Sequence, residues 1–409
     1  MSIFMHYKKE SAISKLSRYL TEIFYGGITR IIDLFIPTKK CHWIFGADYG
    51  YSYRENSKYL FEYMVKHHPE YTCTFITNSQ DVLDYIKRKG LPCALNDSLK
   101  GVMAIAKADA VFTSQNPNDI KYAFKKKNRS YYYMTHGLPY KRCRCALPDY
   151  LKSKKEDNKI ISFWGRVFCV DYGMKDVSFV PSTSDFLAPY TEACCCYGVP
   201  VKILGMPKND RAYDTKAMES EAWVEGLEGK TIVTYMPTHR LYGKGEVTPT
   251  PFEHNEEIQQ WMRENNVVFV MKQHPNMIPK LSNSINTDVI KDITKLKLDP
   301  FVVMYHTDVL ISDFSSAFLE FLWFQRPILL YIYDNYADVE GALYDISDDF
   351  PQSFCYNEQE LFEHIKKCVL SPEECKPSKA VIEKFYQSTE PNACEQYFKA
   401  VNDDKHYHE

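Results

Sequence analysis

The chain has 409 residues, which at roughly 150 residues per domain supplies two to three domains with sizeable cores, so a peptide, a toxin or one small module is excluded. A composition of 45% hydrophobic and 25% charged residues excludes a collagen-like or globally disordered chain. Fifty Lys and Arg against 53 Asp and Glu leave a formal charge of −3, which argues against non-specific coating of nucleic acid.

Residues 1–40 read as an amphipathic, basic segment. Ile13, Leu16, Leu20, Phe24, Ile28, Ile31 and Phe35 recur at helical steps, while Lys8, Lys9, Lys15, Arg18, Arg30, Lys39 and Lys40 outnumber Glu10, Glu22 and Asp33. The pattern predicts a helical segment interrupted at Gly26-Gly27. Such a stripe fits either an anionic membrane surface or the protein's own core, and the pattern leaves both open. No apolar run approaches the roughly 18 residues needed to cross a bilayer, and no export signal is read.

Residues 41–207 alternate strand-like and helical runs, with strands expected at Trp43–Phe45, Thr72–Thr77, Ala110–Thr113, Tyr131–Met134, Ser178–Val180 and Val201–Leu204. Helices are expected between some of them, at Ser57–His67 and Asp97–Ala106. The polar stretch 208–230 reads as a linker. A second series, 231–390, carries strands at Thr231–Tyr235, Val267–Met271, Asp308–Ser312 and Ile328–Tyr333, with helices at Glu253–Glu264 and Ser316–Phe324. Helices are also expected at Glu358–Val369 and Lys379–Tyr386, and 391–409 reads as a C-terminal tail. Two α/β halves, each built on a parallel sheet and facing a central cleft, follow from this alternation.

Thirteen cysteines without an export signal fit a reducing cytoplasm, and their spacing matches no metal-ligand pattern. Cys194, Cys195 and Cys196 are expected to pack on a helix as small apolar side chains. Gly-rich dinucleotide, P-loop and G-x-S-x-G signatures are missing, which removes support from oxidoreductase, NTPase and hydrolase readings.

Four short motifs each follow an expected strand, where an open α/β sheet places its ligand-binding residues. They are Thr135-His136-Gly137-Leu138-Pro139, Pro237-Thr238-His239-Arg240, Lys272-Gln273-His274-Pro275 and Asp313-Phe314-Ser315-Ser316. Ser315 and Ser316 sit at or next to the start of a helix, where hydroxyls and free N–H groups suit a phosphate, or a plain N-cap. Arg240 offers a planar fork and His274 with Lys272 a positive pair, each of which suits phosphate. His136, beside a glycine that permits close approach, has the chemistry of a general base. Each residue alone also fits a bland role: a plain N-cap for the serines, a solvated side chain for Arg240, and a satisfied structural group for His136 or His274.

In this order and spacing the motifs resemble the CDP-glycerol glycerophosphotransferase family of teichoic-acid and capsule polymer synthesis. Thr135–Lys141 is similar to its W-H-G-T-P-L-K segment, and Gly205-Met206-Pro207-Lys208-Asn209-Asp210 to G-x-P-R-N-D. Met236–Arg240 is similar to A-P-T-W-R, Lys272–Pro275 to K-x-H-P, and Ser312–Ser316 to T-D-Y-S-S. The resemblance implies a GT-B-like fold, with the acceptor and base on the first Rossmann-like half and a CDP-alcohol donor on the second. It implies no cofactor and no metal. By position, His136 is the expected catalytic base. Thr238, Arg240, His274, Asp313, Ser315 and Ser316 are expected to hold the donor, with Gly137, Asp210 and Lys272 in support. The implied reaction moves glycerol phosphate from CDP-glycerol to a lipid-linked or glycan acceptor and releases CMP, at the inner face of the cell membrane. Thr135, Lys208 and His239 depart from the family pattern. CDP-ribitol or another CDP-alcohol as donor therefore stays open, as do a UDP- or GDP-sugar glycosyltransferase and a non-catalytic polymer-binding homologue.

Overall fold

The computed structural model describes residues 12–143, 146–147, 173–195, 198–211, 222–238, 250–274, 286–296, 298–334 and 341–404. Helix α1, Ala12–Phe35, leads into the first half. There β1 His42–Gly46, α2 Glu55–His67, β2 Thr72–Thr77, α3 Gln80–Arg88, β3 Cys93–Leu95, α4 Leu99–Lys107, β4 Ala110–Thr113 and β5 Ser130–Tyr133 follow in turn. A short pair, β6 Val180–Ser182 and β7 Val201–Ile203, flanks α5 Ala188–Cys195, and α6 Pro207–Asp210 closes this half. The second half comprises β8 Thr231–Tyr235, α7 Glu256–Glu264, β9 Val267–Met271, β10 Ile290–Asp292, α8 Pro300–Tyr305, β11 Val309–Ser312, α9 Ala317–Phe321, β12 Ile328–Tyr331 and β13 Phe354–Cys355. Helices α10 Glu358–Leu370, α11 Pro372–Cys375, α12 Lys379–Phe385 and α13 Ala393–Asn402 end the described chain.

Both large sheets are parallel, in the orders β3-β2-β1-β4-β5 and β10-β9-β8-β11-β12-β13. Parallel strands covered on both faces need near-continuous apolar runs instead of alternation. Val267–Met271 and Val309–Ser312 are such runs, and every residue in them is buried. In the first sheet the apolar face is aromatic: Phe112 stacks on Phe45 at 4.8 Å and on Tyr132 at 5.0 Å, under Trp43. In each sheet the order reverses beside the first strand, between β1 and β4 and between β8 and β11. Loops diverge there and leave room for a ligand.

Two expectations fail. The Gly26-Gly27 pair does not interrupt α1, which runs unbroken from residue 12 to 35. The helix packs on α4, and Gly26 and Thr29 are buried, so lack of a side chain suits the contact face. The segment read as a tail, 391–409, instead contributes α13. Its Cys394, Tyr397 and Val401 are buried in the same cluster as Trp43, Phe45 and Phe112, so the chain crosses back and completes the first half. Asp210 fixes this return, because its carboxylate accepts from the backbone N–H groups of Ala393 (3.1 Å) and Cys394 (2.8 Å). Strands β3, β10 and β13 also escaped the pattern; at two or three residues each they are too short to carry a period.

Tyr397 is fully buried and its hydroxyl has no hydrogen-bond partner among the described residues. Tyr397→Phe is expected to leave stability unchanged or raise it by up to about 1–3 kcal/mol, because an unpaired buried hydroxyl is removed. Tyr397→Ala is expected to lower it by about 3–5 kcal/mol through the cavity it opens. Urea unfolding of the two variants checks both.

Candidate functional site

The site is built at the carboxyl edges of the two sheets. Leaving β5, the chain makes its last ladder bond from Met134 N to Thr113 O and then turns through Thr135, whose φ of 54° is left-handed. That conformation is costly for a threonine, so the turn depends on its surroundings. Asn56, fully buried on α2, supplies them: its amide donates to the carbonyls of Met134 (3.1 Å) and Thr135 (3.0 Å). The turn presents His136, an exposed residue, at a cleft of about 780 Å³ open to solvent. Thr135, Gly137, Leu138 and Met206 line the cleft on the first half, and Ser316 lines it from the second.

Beyond His136 the chain enters the second half. Leu138 and Tyr140 are buried in the cluster of Phe314, Phe318 and Leu322, with the Tyr140 ring 5.0 Å from Phe318. Tyr344 donates to the Pro139 carbonyl at 2.6 Å, and Lys141 bridges Ala342. A Cβ on Gly137 would lie 2.8 Å from Glu320 Oε1 and 3.1 Å from Ser316 Oγ, so a side chain there would push the Glu320 carboxylate or the Ser316 hydroxyl aside.

In the second half, Thr238 and Asp313 occupy the point where the strand order reverses. Asp313 Oδ1 accepts from Thr238 N at 2.7 Å and from its hydroxyl at 2.6 Å, which ties the loop after β8 to the loop after β11. Ser316 stands at the N-cap of α9, but its hydroxyl makes no capping bond and instead donates to Glu320 Oε1 at 3.4 Å. Ser315 Oγ accepts from Ala317 N at 3.3 Å. Lys272 is buried at the end of β9, and His274 is exposed two residues on. Burial, helped by the nearby positive Arg54, pulls the Lys272 ammonium down to about 8. Arg240 and His239 lie outside the described residues.

Structure therefore joins His136 and Gly137 to Ser316 in one cleft and Thr238 to Asp313, whereas Asp210 serves the α13 anchor. Sequence reasoning missed a charged group between the halves: Arg54 and Glu55 at the start of α2, Lys208 on α6, Asp299 before α8, and Glu320 on α9. The Lys208 ammonium contacts Glu320 Oε2 directly and donates to the His136 carbonyl at 3.3 Å. Burial pulls this ammonium down, but Glu320 and Glu55 outweigh it and hold it above the ordinary lysine value. Arg54 pairs with Asp48 at 2.8 Å, and Asp299 accepts from Tyr59 at 2.9 Å. Burial raises the Glu55 carboxyl to about 7 despite the opposing pull of Lys208 and Arg54. One signal was legible: Glu320 stands alone among Phe318, Leu319, Phe321 and Leu322, and a lone acid inside an apolar run needs a buried partner.

A family model described as CDP-Glycerol:Poly(glycerophosphate) glycerophosphotransferase matches residues 29–402. The chain is 25% identical over 405 residues to the teichoic acid poly(glycerol phosphate) polymerase of Bacillus subtilis (strain 168), covering 91% of this chain and 50% of that protein. It is 31% identical over 166 residues to the teichoic acid glycerol-phosphate primase of the same organism, covering 40% of this chain and 42% of that one. The chain thus spans about half the length, or less, of these two curated relatives. Among solved structures, the wall teichoic acid polymerase TagF superposes with a TM-score of 0.72 at 19% identity, over 96% of this chain and 97% of that one. At that identity the match establishes the fold, a GT-B-type pair of α/β halves.

Gly137→Ala is expected to displace the Glu320 carboxylate and lower stability by about 1–3 kcal/mol, measured by chemical unfolding. Because the Glu55 carboxyl is raised, its contribution to stability is full below its ordinary value of 4.5 and is lost as pH rises through about 7. The Tm of Glu55→Gln minus that of the parent should therefore grow between pH 5 and pH 8; a gap that shrinks over this window contradicts the assignment.

Proposed function

The chain belongs to the CDP-glycerol:poly(glycerophosphate) glycerophosphotransferase family, and on that premise we propose that it transfers glycerol phosphate from CDP-glycerol to a hydroxyl of a teichoic-acid-type acceptor. The observation that carries this reading is the cleft in which His136 of one half faces Ser316 of the other. An acceptor alcohol beside His136 and a diphosphate against Ser315 and Ser316 would meet there. Support also comes from Thr238 and Lys272, which follow the neighbouring strands β8 and β9 of the second sheet, and from His274 just beyond.

In the proposed step His136 takes the proton of the acceptor hydroxyl as its oxygen attacks the distal phosphorus of the donor. The new O–P bond forms while the bond from that phosphorus to the bridging oxygen breaks, and CMP departs with the electron pair. Charge grows on the transferring phosphoryl oxygens and on the leaving CMP, where Lys272 and the serine hydroxyls stabilise it without reorganisation. Arg240, by its position in the motif, adds a guanidinium to the same task. The acceptor is read as lipid-linked or glycan-borne, and the products as one added unit or many.

Helix α1 is assigned to an anionic membrane surface. Leu16, Leu20, Phe24, Ile31, Leu34 and Phe35 are each at least 58% exposed and recur at three-, four- and seven-residue steps along it. Lys39 and Lys40 are exposed four and five residues past its end. The opposite side is engaged by the fold, with Asp33 pairing Lys126 and Arg129. An apolar row beside free ammonium groups is the pattern that lies among headgroups. Among the described residues no helix is long and apolar enough to cross a membrane.

Thermal shifts with CDP-glycerol, CDP-ribitol, CMP and UDP- and GDP-sugars test the donor. Stabilisation by CDP-glycerol above the others is expected, by about 2.7 kcal/mol at a hundredfold excess over Kd; a response to a UDP- or GDP-sugar alone overturns the reading. His136→Ala is expected to lower transfer by about 10²–10⁴-fold while the CDP-glycerol shift survives, and the paired Ser315→Ala and Ser316→Ala change to diminish that shift. Leu20→Glu combined with Ile31→Glu should abolish flotation with phosphatidylglycerol vesicles, and flotation at the parent level refutes the membrane assignment.

A further inference from the structure

Taking His136 as the proposed base, its exposure poses a mechanical problem: a side chain in solvent, on a turn with a strained neighbour, must still be held at one place. Three consecutive carbonyls of that turn are gripped from behind. Asn56 holds those of Met134 and Thr135, and Lys208 Nζ holds that of His136. The two gripping residues are themselves joined, since Lys208 N donates to Asn56 Oδ1 at 3.2 Å. From Lys208 the chain of contacts continues to Glu320 Oε2, and from Glu320 Oε1 to the Ser316 hydroxyl. Asn56, Lys208 and Glu320 are 0%, 3% and 8% exposed, so the connection runs through the interior while both ends emerge in the cleft.

We propose that Lys208 and Glu320 are positioning residues for the transfer, a buried ion pair that sets the distance between the His136 turn on the first half and Ser316 on the second. Neither residue touches the reacting atoms in this assignment. Lys208 fixes the backbone that carries the imidazole, Glu320 fixes the serine hydroxyl, and their mutual contact makes the two placements interdependent. The Gly137 approach to Glu320 and Ser316 shows how little slack the arrangement has.

A structural pair and a positioning pair respond differently to replacement of both members. Removing one partner leaves a buried charge and destabilises strongly, whereas two apolar residues of similar size restore stability. The double variant Lys208→Met with Glu320→Leu is therefore expected to keep a Tm near that of the parent. Its kcat with CDP-glycerol should nonetheless fall by about 10²-fold, the scale of an ångström-sized misplacement, with KM for the donor within about threefold. Lys208→Arg, which keeps the charge and the donors, should recover most of that loss. Hydrogen exchange gives a readout free of turnover: amides 134–138 should exchange faster in the double variant while those of β8 and β9 do not change. Parental kcat in the double variant, or unchanged exchange at 134–138, overturns the proposal. Should the double variant not fold, Glu320→Gln takes its place with the same two readouts. If the parent itself does not turn over CDP-glycerol, the functional reading fails, and the exchange result alone still decides whether the pair holds the turn.

Discussion

The proposed reaction requires the carboxyl edges of the two sheets to stay face to face, and crossings of the chain between the halves meet that constraint. Leu138 and Tyr140, only two and four residues past His136, are buried in the core of the opposite half. Burying two large apolar side chains stabilises such a contact by several kcal/mol in order of magnitude. Because the anchor and His136 belong to one short segment, displacing the halves displaces His136 as well. The returning helix α13 ties the chain in the other direction, since residues at the far end of the sequence complete the first core. Each half thus donates an element to the other.

Part of the remaining cohesion between the halves is ionic, beside apolar contacts such as those of Leu187 and Met206 with the core of the second half. Arg54, Glu55, Lys208, Asp299 and Glu320 lie where water is largely excluded, and charges in such a place persist only when each has a partner. Arg54 meets Asp48, Lys208 meets Glu320, and Asp299 is served by Tyr59, Lys58 and the N–H of Phe301. Glu55 lies 3.6 Å from Arg54, and its raised carboxyl value is the signature of burial that Arg54 and Lys208 do not fully offset. Such a cluster adds less to net stability than an apolar patch of equal area, but it penalises every relative placement of the halves except the one that pairs it. The proposed transfer would benefit from that selectivity, because the reacting groups carried by the two halves must be brought to one geometry.

The strand runs were readable because parallel strands buried on both faces need continuous apolar sequence, and Thr231–Tyr235 and Val267–Met271 have the expected limits to the residue. The four motifs were readable for a related reason: each follows such a run, so the alternation of elements fixes the sheet edge at which it emerges. Asp313 marks where chain order stops being informative. Its place in a motif implies a donor ligand, and its carboxylate accepts from Thr238 across the point where the strand order reverses. Asp210, drawn from another motif, is engaged with the start of α13.

By itself the sequence determined the two α/β halves, the positions of most strands, and the residues that emerge at their carboxyl edges, because these follow from local periodicity and chain order. Tertiary structure alone decided that the last helix belongs to the first half, that Gly26-Gly27 lies within an unbroken helix, and that Lys208 and Glu320 meet behind His136. These outcomes join residues separated by a hundred positions or more, or depend on which surface a helix packs against. Periodicity along a chain carries no term for contact between distant segments, and buried charges in particular reveal their partners only once the fold has removed the water between them.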